Sequence, residues 1–63
     1  MFIRVTEKAK ETPIYINVNN IETIEQDGDI TIIMTNSKLF YYVKETADDI
    51  IQTTSISRML SVS

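Results

Sequence analysis

Apolar and polar positions alternate along most of the first 44 residues with a period of two, the signature of β-strands. Ile3 and Val5 alternate with Phe2, Arg4 and Thr6 in a first strand. Residues 8–13 are a polar connection closed by the one proline, Pro13, which suits a loop end or strand start. Ile14, Ile16 and Val18 alternate with Tyr15 and Asn17, and Asn19-Asn20 then breaks the run, since asparagine favours turns. A third strand over residues 21–26 leads into Gln26-Asp27-Gly28-Asp29, whose Asp-Gly pair marks a tight hairpin. Ile30, Ile32 and Met34 alternate with Thr31, Ile33 and Thr35. After a short turn at Asn36-Ser37-Lys38, Leu39, Tyr41 and Val43 alternate with Phe40, Tyr42 and Lys44. The pattern predicts a small antiparallel five-stranded meander or partly closed barrel.

The period changes after Lys44. Thr46 with Asp49 three residues on resembles a capping box, and Ala47, Ile50, Ile51 and Thr54 follow helical spacing. Thr53-Thr54-Ser55 is poor helix material and predicts an end there. Ile56, Met59 and Leu60 resume apolar spacing on a different side. The expected architecture is therefore mainly β (α+β), with one short C-terminal helix. Residues 1–52 form the domain, and residues 53–63 form a tail or second short helix.

Both faces of the sheet carry apolar side chains. One face collects Ile3, Val5, Ile14, Ile16, Val18, Ile30, Ile32, Met34, Leu39, Tyr41 and Val43. The other holds Phe2, Tyr15, Ile33, Phe40 and Tyr42 among Arg4, Asn17, Thr31 and Thr35. An antiparallel sheet with one solvated face alternates apolar-in and polar-out, and this one does not. One short helix covers one face, so the second closes a barrel or meets another molecule. Exposed aromatic patches mark interaction surfaces. The candidate interface is Phe2, Tyr15, Ile33, Phe40 and Tyr42, joined by Ile56, Met59 and Leu60 from the tail.

Composition strengthens the strand reading, because 23 of the 63 residues are Ile, Thr or Val. It also narrows the chemistry. There is no cysteine and no histidine, so thiol nucleophiles, histidine bases, Ser-His-Asp triads and zinc or iron–sulfur sites are excluded. A single glycine cannot build a phosphate-cradling loop. The carboxylate pairs Glu22/Glu25 and Asp27/Asp29 read as solvated strand and turn residues, with no catalytic, metal or cofactor site expected. Nucleic acid is disfavoured by a net charge of -3 with scattered basic residues. No apolar run reaches the ~18 residues of a membrane span, and none near the start has signal-peptide length, so a cytoplasmic, non-enzymatic protein is expected. At this size a core supplies only about 3–5 kcal/mol, and self-association is the staple still open. For a small-molecule ligand the candidate contacts are Arg4, Asn17, Asn19, Asn20 and Lys44.

Val5-Thr6, the strand from Tyr15 to Asn17, Ile21-Glu22-Thr23-Ile24-Glu25, Asp29 with Ile32, Thr35-Asn36-Ser37-Lys38 and Tyr42-Val43-Lys44-Glu45 together resemble the small bacterial flagellar proteins of the FlbD type. The resemblance covers about residues 3–51. It departs at the first loop, which lacks the family's Asn-Gly, and at Ser37, which stands where the family's turn has glycine. The resemblance implies a non-catalytic accessory factor in motility with a protein partner and no catalytic residues to transfer, while self-association is expected from the apolar second face. A second reading from size and composition is a phage or mobile-element protein that inhibits a host component or sequesters a small signalling molecule between subunits.

Overall fold

The β-branched alternation produces five strands, and the computed structural model describes residues 1–62, with side chains for residues 1–54. In order these are β1 (Phe2–Thr6), β2 (Pro13–Asn17), a 3-10 turn (Val18–Asn20), β3 (Ile21–Asp27), β4 (Ile30–Thr35), β5 (Phe40–Val43) and helix α1 (Ala47–Val62). They form two antiparallel sheets, β1-β2 and β3-β4-β5. The sheets meet at one corner, where Glu7 and Val43 form a lone bridge. There the Lys8 N–H donates to the Tyr42 carbonyl at 2.8 Å and the Lys44 N–H to the Thr6 carbonyl at 2.9 Å. The expected single meander or closed barrel is thus corrected to two sheets joined at a corner. The Thr6 N–H goes to the Glu45 carboxylate and not to a β5 carbonyl, so pairing between β1 and β5 stops at the one bridge.

The hairpin turns follow local chemistry. Asp27 pairs with Ile30, leaving Gly28-Asp29 as a two-residue loop. Gly28 leads it with φ of 61°, a left-handed value that costs glycine nothing. In the next turn the left-handed residue is Lys38, at φ 68°. Ser37 is free of that demand, and its hydroxyl lies 3.1 Å from the Thr35 hydroxyl.

The core consists of Ile3, Val5, Ile16, Val18, Ile33, Val43 and Ile50, with Ile14, Ile21, Ile24 and Tyr41 packed against it. β4 faces opposite to expectation. Thr31, Ile33 and Thr35 are buried, whereas Ile30, Ile32 and Met34 are half-buried. Register explains this: Tyr41 and Val43 of β5 lie opposite Ile33 and Thr31, so the inward face of β5 selects the odd-numbered face of β4. The threonines tolerate burial because their hydroxyls are satisfied. Thr31 donates to the Gln26 side-chain carbonyl at 3.1 Å, and the Thr35 hydroxyl accepts the Leu39 N–H at 3.2 Å. Ile33, expected on the exposed interface, is fully buried, and Leu39, expected in the core, is exposed.

Helix α1 starts as its sequence asks. The Thr46 hydroxyl accepts the Asp49 N–H at 3.1 Å, the bond of an N-cap, and the Ala47 N–H donates to the Gln26 side chain at 2.8 Å. The helix then runs through residues 53–55, where a break was expected. Its threonine hydroxyls turn back onto the helix: Thr53 donates to the Asp49 carbonyl and Thr54 to the Ile51 carbonyl, both at 2.9 Å. Ile50 reaches the core, and α1 contacts β1 and β3.

Candidate interaction surface

The phase of β4 creates an apolar stripe on the surface. On the outward side of the three-stranded sheet, Ile32 lies opposite Tyr42 and Met34 opposite Phe40. Phe40 is 55% exposed and Tyr42 51%. Across β4 the row continues onto β3, where Glu25 faces Ile32 and Asp27 faces Ile30. An apolar and aromatic centre is thus bordered on one side by carboxylates. The two-stranded sheet adds Phe2 and Tyr15 on its own outward side, 63% and 64% exposed. Four of the five described interface candidates are therefore exposed, while Ile33 lies beneath the sheet. The side chains of Ile56, Met59 and Leu60 lie outside the described residues.

The ligand candidates do not come together. Asn17 and Asn20 line a groove of about 240 Å³ between the two sheets, with Phe2, Tyr15, Leu39 and Tyr41. Asn17 also caps the 3-10 turn, its side-chain oxygen accepting the Asn19 N–H at 3.0 Å. Asn19 is tied into the turn packing, its carbonyl accepting from the Asn36 amide at 3.2 Å. Arg4 lies elsewhere, beside Glu45 and Asp49 at a cavity of about 50 Å³. Lys44 pairs with Glu11 at 2.8 Å, holding the Glu11 carboxyl below its ordinary value first by that hydrogen bond and then by charge. That pair secures a strained position, since Glu11 has φ 56°.

Two polar clasps escaped the sequence pattern. Glu45 receives the Thr6 N–H and the Thr6 hydroxyl, each at 2.8 Å, one on each carboxylate oxygen. Burial pushes the Glu45 carboxyl up, but the Thr6 bonds, with help from Arg4, leave it lowered overall. Gln26 is the second clasp. Its amide donates to the Gly28 and Ile30 carbonyls at 2.9 and 3.2 Å, and its oxygen serves Thr31 and Ala47. It ties the hairpin tip to the start of α1. Neither clasp follows a short motif: the Thr6 and Gln26 partners lie 39 and 21 residues away along the chain.

The acidic residues do not converge. Glu22 pairs with Lys38 at 3.2 Å and Asp29 with Lys8 at 3.3 Å, both at the surface. Among the described residues no three of His, Cys, Asp or Glu are grouped to hold a metal, and no helix is long and apolar enough to cross a membrane.

A family model described as flagellar and swarming motility proteins, FlbD, matches residues 2–59. The chain belongs to the FlbD family. The match spans both sheets and reaches well into α1, so both clasps and the outward aromatic face lie inside the FlbD region. The two departures from the FlbD-type pattern have a structural setting. The first loop, without Asn-Gly, places Glu11 in the left-handed region and fastens it to Lys44, whereas Ser37 sits beside the left-handed residue. No curated protein and no solved structure matches the chain.

Proposed function

We propose that this FlbD-family chain is a non-catalytic accessory factor of flagellar or swarming motility that works by contacting proteins, its own copies included. The observation that carries contact with another protein is the outward stripe of β4. The strand points Ile30, Ile32 and Met34 away from the core and its two threonines into it, and Phe40 and Tyr42 extend that stripe. Apolar centres with polar rims are the anatomy of protein-binding surfaces. Family membership supports motility as the setting. Four of the nine acidic residues have structural partners: Glu22, Asp29 and Glu11 each pair with a lysine, and Glu45 holds Thr6.

The test replaces Phe40 or Tyr42 by Asp and measures two things. Swarming of a strain carrying either variant is expected to fall to the level of a strain lacking the protein, while the far-ultraviolet circular dichroism stays unchanged. Full swarming by folded Phe40→Asp and Tyr42→Asp proteins would overturn the assignment of this face.

A further inference from the structure

β2 and β3 are the strands of the two sheets that lie away from the corner, where β1 and β5 meet through one bridge. Natural sheets discourage pairing at open edges with charge, proline or bulges. β3 follows that practice, with Glu22, Glu25 and Asp27 in seven residues and a register shift near its start. β2 does not. Its sequence, Pro-Ile-Tyr-Ile-Asn, contains no charge, and its proline sits at the first position.

The hydrogen-bond phase of β2 follows from its ends. The Val18 N–H bonds to the Met1 carbonyl and the Glu7 N–H to the Thr12 carbonyl, both at 2.9 Å. Bonded and non-bonded pairs alternate along an antiparallel ladder, so Ile3 with Ile16 and Val5 with Ile14 are the bonded pairs. The N–H and C=O of Tyr15, the N–H of Asn17 and the C=O of Pro13 therefore point away from β1, to the open edge. Thr6, opposite Pro13, agrees with this phase, because its backbone turns outward to Lys44 and Glu45.

We infer that two copies of this chain pair edge to edge through β2, antiparallel about a twofold axis at Tyr15. In that register Tyr15 and the partner's Tyr15 exchange both backbone bonds. The Asn17 N–H meets the carbonyl of the partner's Pro13. Proline has no N–H to return, and none is needed: Asn17 is the N-cap of the 3-10 turn, where the cap carbonyl accepts the first bond of the turn. The self-pairing register leaves no backbone group stranded. On the inner side Ile14 meets the partner's Ile16. On the outer side Arg4, the cross-strand neighbour of Tyr15, flanks an aromatic pair. Charge favours this edge as well, since copies of net charge -3 join along their uncharged strand. A second copy is the occupant because the edge is complementary to itself.

The inference rests on the reading that the protein self-associates, and the test separates the two. Sedimentation equilibrium is run on the wild type, Tyr15→Lys and Phe40→Asp, with amide exchange followed by NMR on the wild type. The expected result is a wild-type mass of twice 7.2 kDa that halves in Tyr15→Lys and persists in Phe40→Asp. Protection of the Tyr15 and Asn17 amides should rise about 100-fold with protein concentration. A wild-type dimer whose Tyr15 and Asn17 amides exchange as exposed groups would overturn the β2 pairing and leave self-association standing. So would a dimer that survives in Tyr15→Lys and is lost in Phe40→Asp. A wild-type monomer at every concentration overturns both. Should Tyr15→Lys fail to fold, the exchange data on the unaltered chain decide.

Discussion

Strand β4 has two faces of different polarity, and they do opposite things. The inward face, Thr31, Ile33 and Thr35, is the more polar of the two and is buried. The outward face, Ile30, Ile32 and Met34, is wholly apolar and half-exposed. Simple hydrophobic ordering would reverse them. The difference teaches that a buried threonine is inexpensive when its hydroxyl is met. Gln26 meets Thr31, and the turn after β4 meets Thr35. Among the described residues no buried side-chain polar atom lacks a partner. The apolar stripe is thereby released to the surface, where it extends into Phe40 and Tyr42.

The largest expected effect breaks the inward face. Ile33→Ala removes a fully buried side chain and should cost about 3 kcal/mol, most of the stability of a chain this small. Ile32→Ala, one residue earlier and outward, should cost less than about 1 kcal/mol. Urea titration of both variants checks the contrast, and equal losses would mean that the two faces are not distinct.

A smaller effect tests why threonine is tolerated inside. Gln26→Ala strands the Thr31 hydroxyl and leaves the Ala47 N–H to water, at a cost of about 2 kcal/mol. Thr31→Val replaces the hydroxyl by a methyl of similar shape and should be close to neutral. Thermal unfolding of the two variants decides whether satisfaction or packing sets the phase of β4.

The smallest effect leaves β4 alone and loosens the corner that joins its sheet to the other. The Glu45 carboxyl lies below its ordinary value of 4.5 in the folded chain. A depressed carboxyl adds stability that is fully present above the unfolded value and is lost as pH falls through the folded one. Stability should therefore decline below about pH 4.5. Glu45→Gln should flatten that decline and cost roughly 1–2 kcal/mol at neutral pH, because the Thr6 N–H and hydroxyl keep a weaker partner. Denaturation midpoints from pH 3 to pH 7 for both proteins measure it.

Much of the fold was legible in particular residues. Alternation placed all five strands, Gly28 marked the hairpin, Thr46 marked the start of α1, and the Ile-Glu-Thr-Ile-Glu strand with its flanking turns pointed to the FlbD family. The exposed aromatics Phe2, Tyr15, Phe40 and Tyr42 were also readable, because large rings fell opposite the inward positions of their strands. Ile33 was misplaced because threonine, isoleucine and methionine alternate on β4 without a polar side strong enough to fix its phase. Arg4 and Lys44 were grouped with the asparagines by type, while the structure pairs Lys44 with Glu11 and sets Arg4 beside Glu45 and Asp49. The Thr53-Thr54-Ser55 run suggested a helix end, and back-bonded hydroxyls carry the helix past it.

The sequence by itself determined where the strands and turns lie and which family the chain belongs to. Those properties depend on residue type and on neighbours a few positions away. Tertiary structure alone decided that the strands divide into two sheets and which face of β4 is buried. It also decided that β2 presents an uncharged edge with its donors outward. Each of these is set by pairing between segments far apart along the chain. The period of two survives a one-residue change of phase, and only the partner strand says which phase is inside.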